Sequence, residues 1–521
     1  MKRDFASLQG RQFDLLICGG GIYGAWTAYD ASLRGLSVAI VEQGDWASAT
    51  SSASSKLIHG GLRYLESLDF KLVKKALSER QLLLKIAPHR VWPLRFGVPV
   101  YAGSRIGRLK LKFGLMLYDF MAGNPLQKMA HRYFKRDEFA QRFPLLDTAT
   151  LKGGFTYSDA QTDDARLVLE LIDGAMQAGA VCVNYCKLTG LKEHAGQVQG
   201  AWVQDQLSDE RTELRAKQIV FTAGQWSAIE GESGKWCRVT KGVHLLMPAA
   251  LTDEALLLTA HSDGRVFFMI PWYGLTLVGT TDTDYSGNMQ TVTVGEKDEA
   301  YLLDAANHYL KTAWSRADVI GSYAGLRVMK RSDKSSPSSV SRDWELKTAG
   351  NGVHYSIGGK LTSAREDAAS IVDKICELLR EKIRCASGEN LFPWAPDDYD
   401  KWFVEVSVRA EILGVDKESI KWLVRRHGIR VAEILRTIEN SPSQARRIVP
   451  EIPFIYADLL FGAQHEMAVH LSDLLRRRMP LLILAKLGAS DLRGLAQRVA
   501  GVMGWDNDRI EQEIVSCTSF K

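Results

Sequence analysis

Gly19, Gly21 and Gly24 stand in the spacing G-x-G-x-x-G directly behind the apolar run Phe13-Asp14-Leu15-Leu16-Ile17-Cys18. The next apolar run, Ser37-Val38-Ala39-Ile40-Val41, closes on an acid, Glu42. Strand, glycine turn, helix, strand and acid, in that order, are the parts needed to hold a dinucleotide. Gly19 permits the tight turn, Gly21 lets the backbone approach a pyrophosphate, and Gly24 lets the helix pack closely on the strand. The helix start offers unpaired N–H groups and partial positive charge to the phosphates. Glu42 suits ribose hydroxyls as their acceptor. A run of small hydroxyl residues follows, Ala47-Ser48-Ala49-Thr50-Ser51-Ser52-Ala53-Ser54-Ser55-Lys56, whose hydroxyls and amides suit phosphate and ribose. Behind it, Gly60-Gly61 lets the backbone close on a flat ring. Far downstream, Gly358-Gly359-Lys360 ends another apolar run, His354 to Ile357. This second glycine turn before a helix can present N–H groups to an anion or a ring carbonyl.

At 521 residues the chain exceeds what one core usually supports, so two or three domains are expected to position these groups. Asp164 to Ala178 has helical periodicity stopped by Gly179, and Gln218 to Gly224 reads as a buried strand ending on a glycine. Arg265 to Ile270 and Leu275 to Gly279 read as strands of a mainly antiparallel sheet. Thr362 to Leu379 reads as a helix. Past Pro393-Trp394-Ala395-Pro396 the periodicity is helical throughout, with Arg476-Arg477-Arg478 on one helix, so residues 392–521 form a separate helical domain.

Composition is that of an ordinary globular protein, 46% hydrophobic and 24% charged, which leaves no room for extensive disorder. No run of about 18 uncharged apolar residues predicts a membrane-spanning helix. Met1-Lys2-Arg3-Asp4 is followed by no apolar stretch, which speaks against a secretory leader. The seven cysteines are scattered, and only Cys182 and Cys186 lie close, without a second pair or His cluster to complete a metal site. A reducing, cytoplasmic setting without structural disulfides or metal is expected. Net charge is +5, yet residues 71–112 carry eleven Lys or Arg against one acid, Glu79. From Arg105 to Phe120, Ile106, Leu109, Phe113, Met116, Leu117 and Phe120 share one helical face with Arg105, Arg108 and Lys112 roughly opposite; Leu111 and Leu115 interrupt the polar side. A basic amphipathic stretch of this kind suits the surface of an anionic membrane, and a solvated helix packed on the body is the alternative. No aromatic-interleaved basic repeat points to nucleic acid.

The segment from Ala49 to Leu65, Ala-Thr-Ser-Ser-Ala-Ser-Ser-Lys-Leu-Ile-His-Gly-Gly-Leu-Arg-Tyr-Leu, closely resembles the signature of FAD-dependent glycerol-3-phosphate dehydrogenases of the aerobic, quinone-linked type. Further similar stretches fall in the same order: Tyr157-Ser158-Asp159, Asp163 to Leu167, Lys241-Gly242 with His244, Gly279 to Asp282, Ser341-Arg342-Asp343 and Gly358 to Thr362. His470 to Arg478 looks like the family's C-terminal domain. Three stretches depart from the family pattern: Gly325-Leu326-Arg327-Val328-Met329, Thr222-Ala223-Gly224-Gln225-Trp226 and Ser363-Ala364-Arg365. Arg327, Trp226 and Arg365 are kept, so the charge pattern survives while the flanking shape changes.

The resemblance implies an α/β fold: a Rossmann-like FAD-binding domain (10–72, 160–235 and 345–385), an antiparallel-sheet substrate and membrane-facing domain (73–159 and 236–344), and the all-helical C-terminal domain. It implies FAD held by Gly19, Gly21, Gly24, Glu42, Thr50, Ser51, Ser55, Lys56, Leu57, His59, Gly61, Gly224, Gly359, Lys360, Leu361 and Thr362. It further implies oxidation of sn-glycerol 3-phosphate to dihydroxyacetone phosphate by hydride transfer to the flavin, with electrons passed to a membrane quinone. Arg63, Arg327 and Arg342, with Tyr64 as a hydroxyl donor, are then the phosphate-binding set. Lys360 and Thr362 stand at the flavin edge, where a cation offsets charge developing near the N1–C2 carbonyl. His59 and His244 titrate in the useful range for taking the substrate's hydroxyl proton, and a desolvated Arg or Lys is the other option. The expected setting is cytoplasmic and peripheral on the inner face of the cytoplasmic membrane, with a second copy of the chain as a further partner. Three other readings compete: an oxidase of the same fold that makes hydrogen peroxide, an oxidase of an amine or another 2-hydroxy acid, and an FAD-binding scaffold or sensor.

Overall fold

Strand Gln12–Cys18 is buried along nearly its whole length, the pattern of a parallel strand covered on both faces. In the computed structural model, which describes residues 1–66, 68–123, 129–228, 233–251, 253–331 and 343–518 (at Arg63 the backbone alone), this strand lies inside a twisted sheet. Val38–Val41 and Arg211–Phe221 flank it in parallel. Val181–Val183 and His354–Ile357 extend the parallel set on either side. Cys186–His194 and Gln197–Asp205 form an antiparallel meander leading into Arg211–Phe221. Helices Ile22–Leu33, Asp164–Gln177 and Ala364–Leu379 pack together. Ile22–Leu33 is almost wholly buried, as expected for a helix that is apolar or small-chained all round.

The second sheet is larger and mostly antiparallel. Its spine runs through Cys237–Met247, Leu275–Gly279, Val266–Trp272, Glu254–Thr259, Val91–Tyr101 and Leu151–Thr162, with one parallel pair, Glu254–Thr259 on Val91–Tyr101. Strand Gly321–Lys330 pairs along Cys237–Met247. Leu57–Ile58 pairs with Leu151–Thr162, so the chain crosses into the second sheet before residue 72.

Residues beyond 398 are helical, from Tyr399–Ile412 to Asn507–Thr518. Buried ion pairs fasten this part to the first sheet and its helices. Arg166 donates to both carboxylate oxygens of Glu466, at 2.6 and 2.7 Å. Arg477 and Arg478, in a π-helical turn, both grip Asp45, just behind Glu42. Each charge is paired and hydrogen-bonded, the condition under which a protein interior tolerates it. Among the described residues no helix is long and apolar enough to cross a membrane.

The basic stretch is rearranged by folding. Arg80 is buried on Asp159 and Arg90 on Glu170, and Lys75 pairs with Asp367. Helix Arg108–Met121 buries Leu111 and Leu115, the residues that interrupt its polar side, together with Tyr118. The broad apolar face instead points outward, with Leu109 71%, Phe113 67% and Phe120 81% exposed.

Candidate active site

A cavity of about 420 Å³ lies between the two sheets. Its first end is built by the glycine turn and the strand that follows. Gly19, Gly21, Val41 and Glu42 line it, with Lys187 from the meander opposite. A Cβ at Gly24 would run into the Gly19 carbonyl oxygen and the Thr222 hydroxyl; glycine here brings the helix against the strand, outside the cavity. Both oxygens of Glu42 accept backbone amides, from Gly20 at 2.6 Å and Gly44 at 2.8 Å. Burial pushes the Glu42 carboxyl above its ordinary range despite these two amides. Each oxygen keeps a second lone pair for a ribose hydroxyl.

The hydroxyl run supplies the middle of the cavity. Ser51 Oγ accepts the Ile22 amide at 2.9 Å at the helix start. Thr50 donates to the Leu326 carbonyl at 2.6 Å, tying the loop to the second sheet. Gly224 faces both from the end of Arg211–Phe221. The groove fits a dinucleotide: a Cβ at Gly21 would meet only the Ser51 hydroxyl, at 3.1 Å, and one at Gly224 would meet nothing within 4 Å. The space beside both backbones is open where a pyrophosphate would lie.

At the far end, Leu57, His59, Gly61, Gly359, Lys360, Leu361 and Thr362 meet an apolar bed of Leu257, Val266 and Phe268 from the second sheet. Gly359 has φ +97° and faces the Tyr23 hydroxyl. That hydroxyl accepts the Lys360 amide at 2.9 Å and donates to Asp367 at 2.7 Å. Thr362 Oγ1 accepts the His59 N–H at 3.1 Å and lies 3.3 Å from the His59 carbonyl, so the two glycine loops are stitched together. The Lys360 ammonium sits 3.6 Å above the Tyr64 ring, within cation–π range.

Arg327 reaches the cavity from Gly321–Lys330. Its guanidinium donates to Thr280 Oγ1 at 2.8 Å and the Thr281 carbonyl at 3.1 Å, with the Asp282 carboxylate at 3.4 Å. Arg265, which the sequence reading did not single out, lines the same wall. Its signal was the pairing of two expected strands, which brings the first residue of one, Arg265, opposite a residue just past the end of the other.

Several expected site residues lie elsewhere. Lys56 does not line the cavity: its ammonium is buried between Asp164 at 2.6 Å and the Ser52 carbonyl at 2.8 Å. Its part is to brace the hydroxyl loop, since Asp164 also accepts Ser54. His244 is buried behind Ser55, with Nε2 2.9 Å from Ser55 Oγ and its ring stacked on Tyr323. Burial, with Arg327 and Lys56 adding positive charge, holds its pKa well below the ordinary imidazole value. Ser55 lines the cavity and His244 does not. Arg365 pairs with Glu79 away from the cavity. Arg342 and the Arg63 side chain lie outside the described residues.

The FAD dependent oxidoreductase family profile matches residues 14–365. A second profile, the C-terminal domain of alpha-glycerophosphate oxidase, matches residues 388–510. A glycerol-3-phosphate dehydrogenase of Synechocystis sp. is 33% identical, over 98% of this chain and 97% of its own. The aerobic glycerol-3-phosphate dehydrogenase of Staphylococcus saprophyticus is 32% identical, over 97% of this chain and 93% of its own. The crystal structure of the glycerol-3-phosphate dehydrogenase from Bacillus halodurans complexed with FAD superimposes with TM-score 0.80 at 27% identity, covering 99% of this chain and 95% of that one.

Proposed function

The chain belongs to the family of FAD-dependent glycerol-3-phosphate dehydrogenases and oxidases, and on that premise we propose that it oxidises sn-glycerol 3-phosphate to dihydroxyacetone phosphate and passes the electrons to a membrane quinone. One observation carries the reading: the same cavity is lined by a dinucleotide turn at one end and, away from it, by Arg327, His59 and Lys360.

The reaction removes a hydride from C2 and a proton from its hydroxyl, and bound FAD supplies the hydride acceptor. Gly19, Gly21, Ser51 and Gly224 would hold the pyrophosphate, and Glu42 would accept from the ribose. Arg327 anchors the substrate phosphate with its planar fork. Lys360, which lines the cavity, would supply positive charge to a bound flavin as negative charge develops on it. His59 takes the hydroxyl proton, because it faces the cavity and its backbone is clamped by Thr362. His244, buried and neutral behind Ser55, orients that hydroxyl instead of meeting substrate.

The outward apolar face of Arg108–Met121 supports docking on a membrane. Leu68 is likewise 70% exposed, and Arg108, Lys110 and Lys112 are exposed on the same helix. An apolar face with a basic rim is what an anionic interface attracts, and a quinone-linked enzyme must reach that interface. The acceptor is tested by assaying holoenzyme on anionic vesicles with a soluble quinone analogue, and in aerated buffer without one. Quinone reduction with little peroxide is expected; stoichiometric peroxide at an undiminished rate would make the chain an oxidase.

A further inference from the structure

We infer that Arg265 is a further cation of the subsite that takes the substrate phosphate, and that with Arg327 it sets the preference for phosphorylated over unphosphorylated alcohols. The inference rests on the glycerol 3-phosphate reading above. Val266–Trp272 pairs with Leu275–Gly279 so that Phe268 faces Gly279, and continuing that register sets Arg265 opposite Asp282. The guanidinium confirms the placement: Nη1 donates to the Asp282 carbonyl at 2.5 Å, and Nε lies 3.0 Å from the Asp263 carboxylate.

Arg327 arrives from the other side. Strand Cys237–Met247 sets His244 opposite Gly279 and Thr240 opposite Arg327, which brings the Arg327 fork to the same short segment, Thr280–Asp282. Two guanidiniums from separate strands therefore clasp one segment and both line the cavity.

Lining the cavity while staying partly exposed separates this pair from the sealed structural arginines. Arg80 and Arg90 are 2% and 0% exposed, with carboxylates sealed over them. The Arg265 and Arg327 side chains are 29% and 22% exposed. A guanidinium carries five N–H donors, and among the described residues the Nη2 edge of Arg265 donates to no protein acceptor. Asp263 and Asp282 fix where the forks sit. A phosphate dianion is matched by several such donors, whereas a neutral alcohol gains nothing from them.

The test is inhibition of the holoenzyme by inorganic phosphate, competing with glycerol 3-phosphate, in the wild type, Arg265→Met and Arg265→Lys. Flavin absorbance and melting temperature are recorded alongside, with glycerol as the unphosphorylated substrate. For Arg265→Met the phosphate Ki and the KM for glycerol 3-phosphate are expected to rise about ten- to hundred-fold. The kcat/KM for glycerol and the flavin spectrum should stay unchanged, and Arg265→Lys should recover part of the loss. Competitive phosphate inhibition of the wild type with the same Ki in both variants would remove Arg265 from the subsite. Absence of competitive inhibition in the wild type would overturn the phosphate reading itself. If Arg265→Met does not fold, Arg265→Lys decides, since it keeps the charge and loses the fork.

Discussion

Replacing Arg327 by methionine keeps much of the side-chain volume and removes one charged fork from the cavity wall. In the native chain that fork is held by Thr280 Oγ1, the Thr281 carbonyl and the Asp282 carboxylate, so it meets an anion without first being ordered. Truncating one partner of a buried charge pair costs roughly 2–5 kcal/mol. The Arg327 side chain is 22% exposed, and water screens part of the interaction, which selects the lower end, about 2–3 kcal/mol. At 1.36 kcal/mol per decade this is a loss of roughly 30- to 150-fold in kcat/KM for glycerol 3-phosphate. Glycerol turnover should change by no more than a few-fold, and flavin content should stay that of the wild type. Removing the Arg327 charge also relieves one of the causes that hold the His244 pKa down, so any shift of that group is upward, against the burial that remains. The assay is steady-state kinetics with an artificial acceptor on both substrates. Equal losses on glycerol and glycerol 3-phosphate, or none on either, would refute the assignment of Arg327 to the phosphate.

Gly359→Ala puts a side chain at φ +97° against the Tyr23 hydroxyl, and the flavin-to-protein absorbance ratio of the purified variant is expected to collapse; full FAD retention would contradict that. Asp164→Asn leaves the Lys56 ammonium buried without its carboxylate, costing about 3–5 kcal/mol, read as a drop of several degrees in melting temperature. Burial pushes the Glu170 carboxyl up, but His89 and Arg90 pull it further down, from 4.5 to about 2. Its contribution, about 3 kcal/mol by linkage, is complete above pH 4.5 and lost as pH falls toward 2; equilibrium denaturation across that window should show the loss, and Glu170→Gln should flatten it. Leu109→Ser, Phe113→Ser and Phe120→Ser combined should abolish sedimentation with anionic vesicles at physiological salt while leaving soluble turnover intact.

What the sequence revealed and concealed divides along physical lines. The glycine turn and the hydroxyl run were legible because backbone approach to a phosphate demands particular residues at fixed spacing. The direction of individual side chains was not, since spacing does not say which way a side chain faces. Lys56 stands within the hydroxyl run yet points into the protein, drawn by Asp164 more than a hundred positions away. His244 reads as a titratable base, but its strand turns it toward Tyr323 and away from the cavity. Helix Arg108–Met121 has two apolar faces, and only its neighbours decide that Leu111 and Leu115 go inward. Arg265 becomes visible only when two strands are paired, because its partner Asp282 belongs to a different motif.

The central claim is that glycerol 3-phosphate delivers a hydride to FAD in this cavity. Mixing the oxidised holoenzyme with glycerol 3-phosphate in the absence of oxygen, and following the flavin absorbance, tests it most directly. Rapid, saturable bleaching by glycerol 3-phosphate and only slow bleaching by glycerol at the same concentration are expected. A flavin that stays oxidised with glycerol 3-phosphate, or that is bleached as readily by an amino acid or an unphosphorylated 2-hydroxy acid, would contradict it.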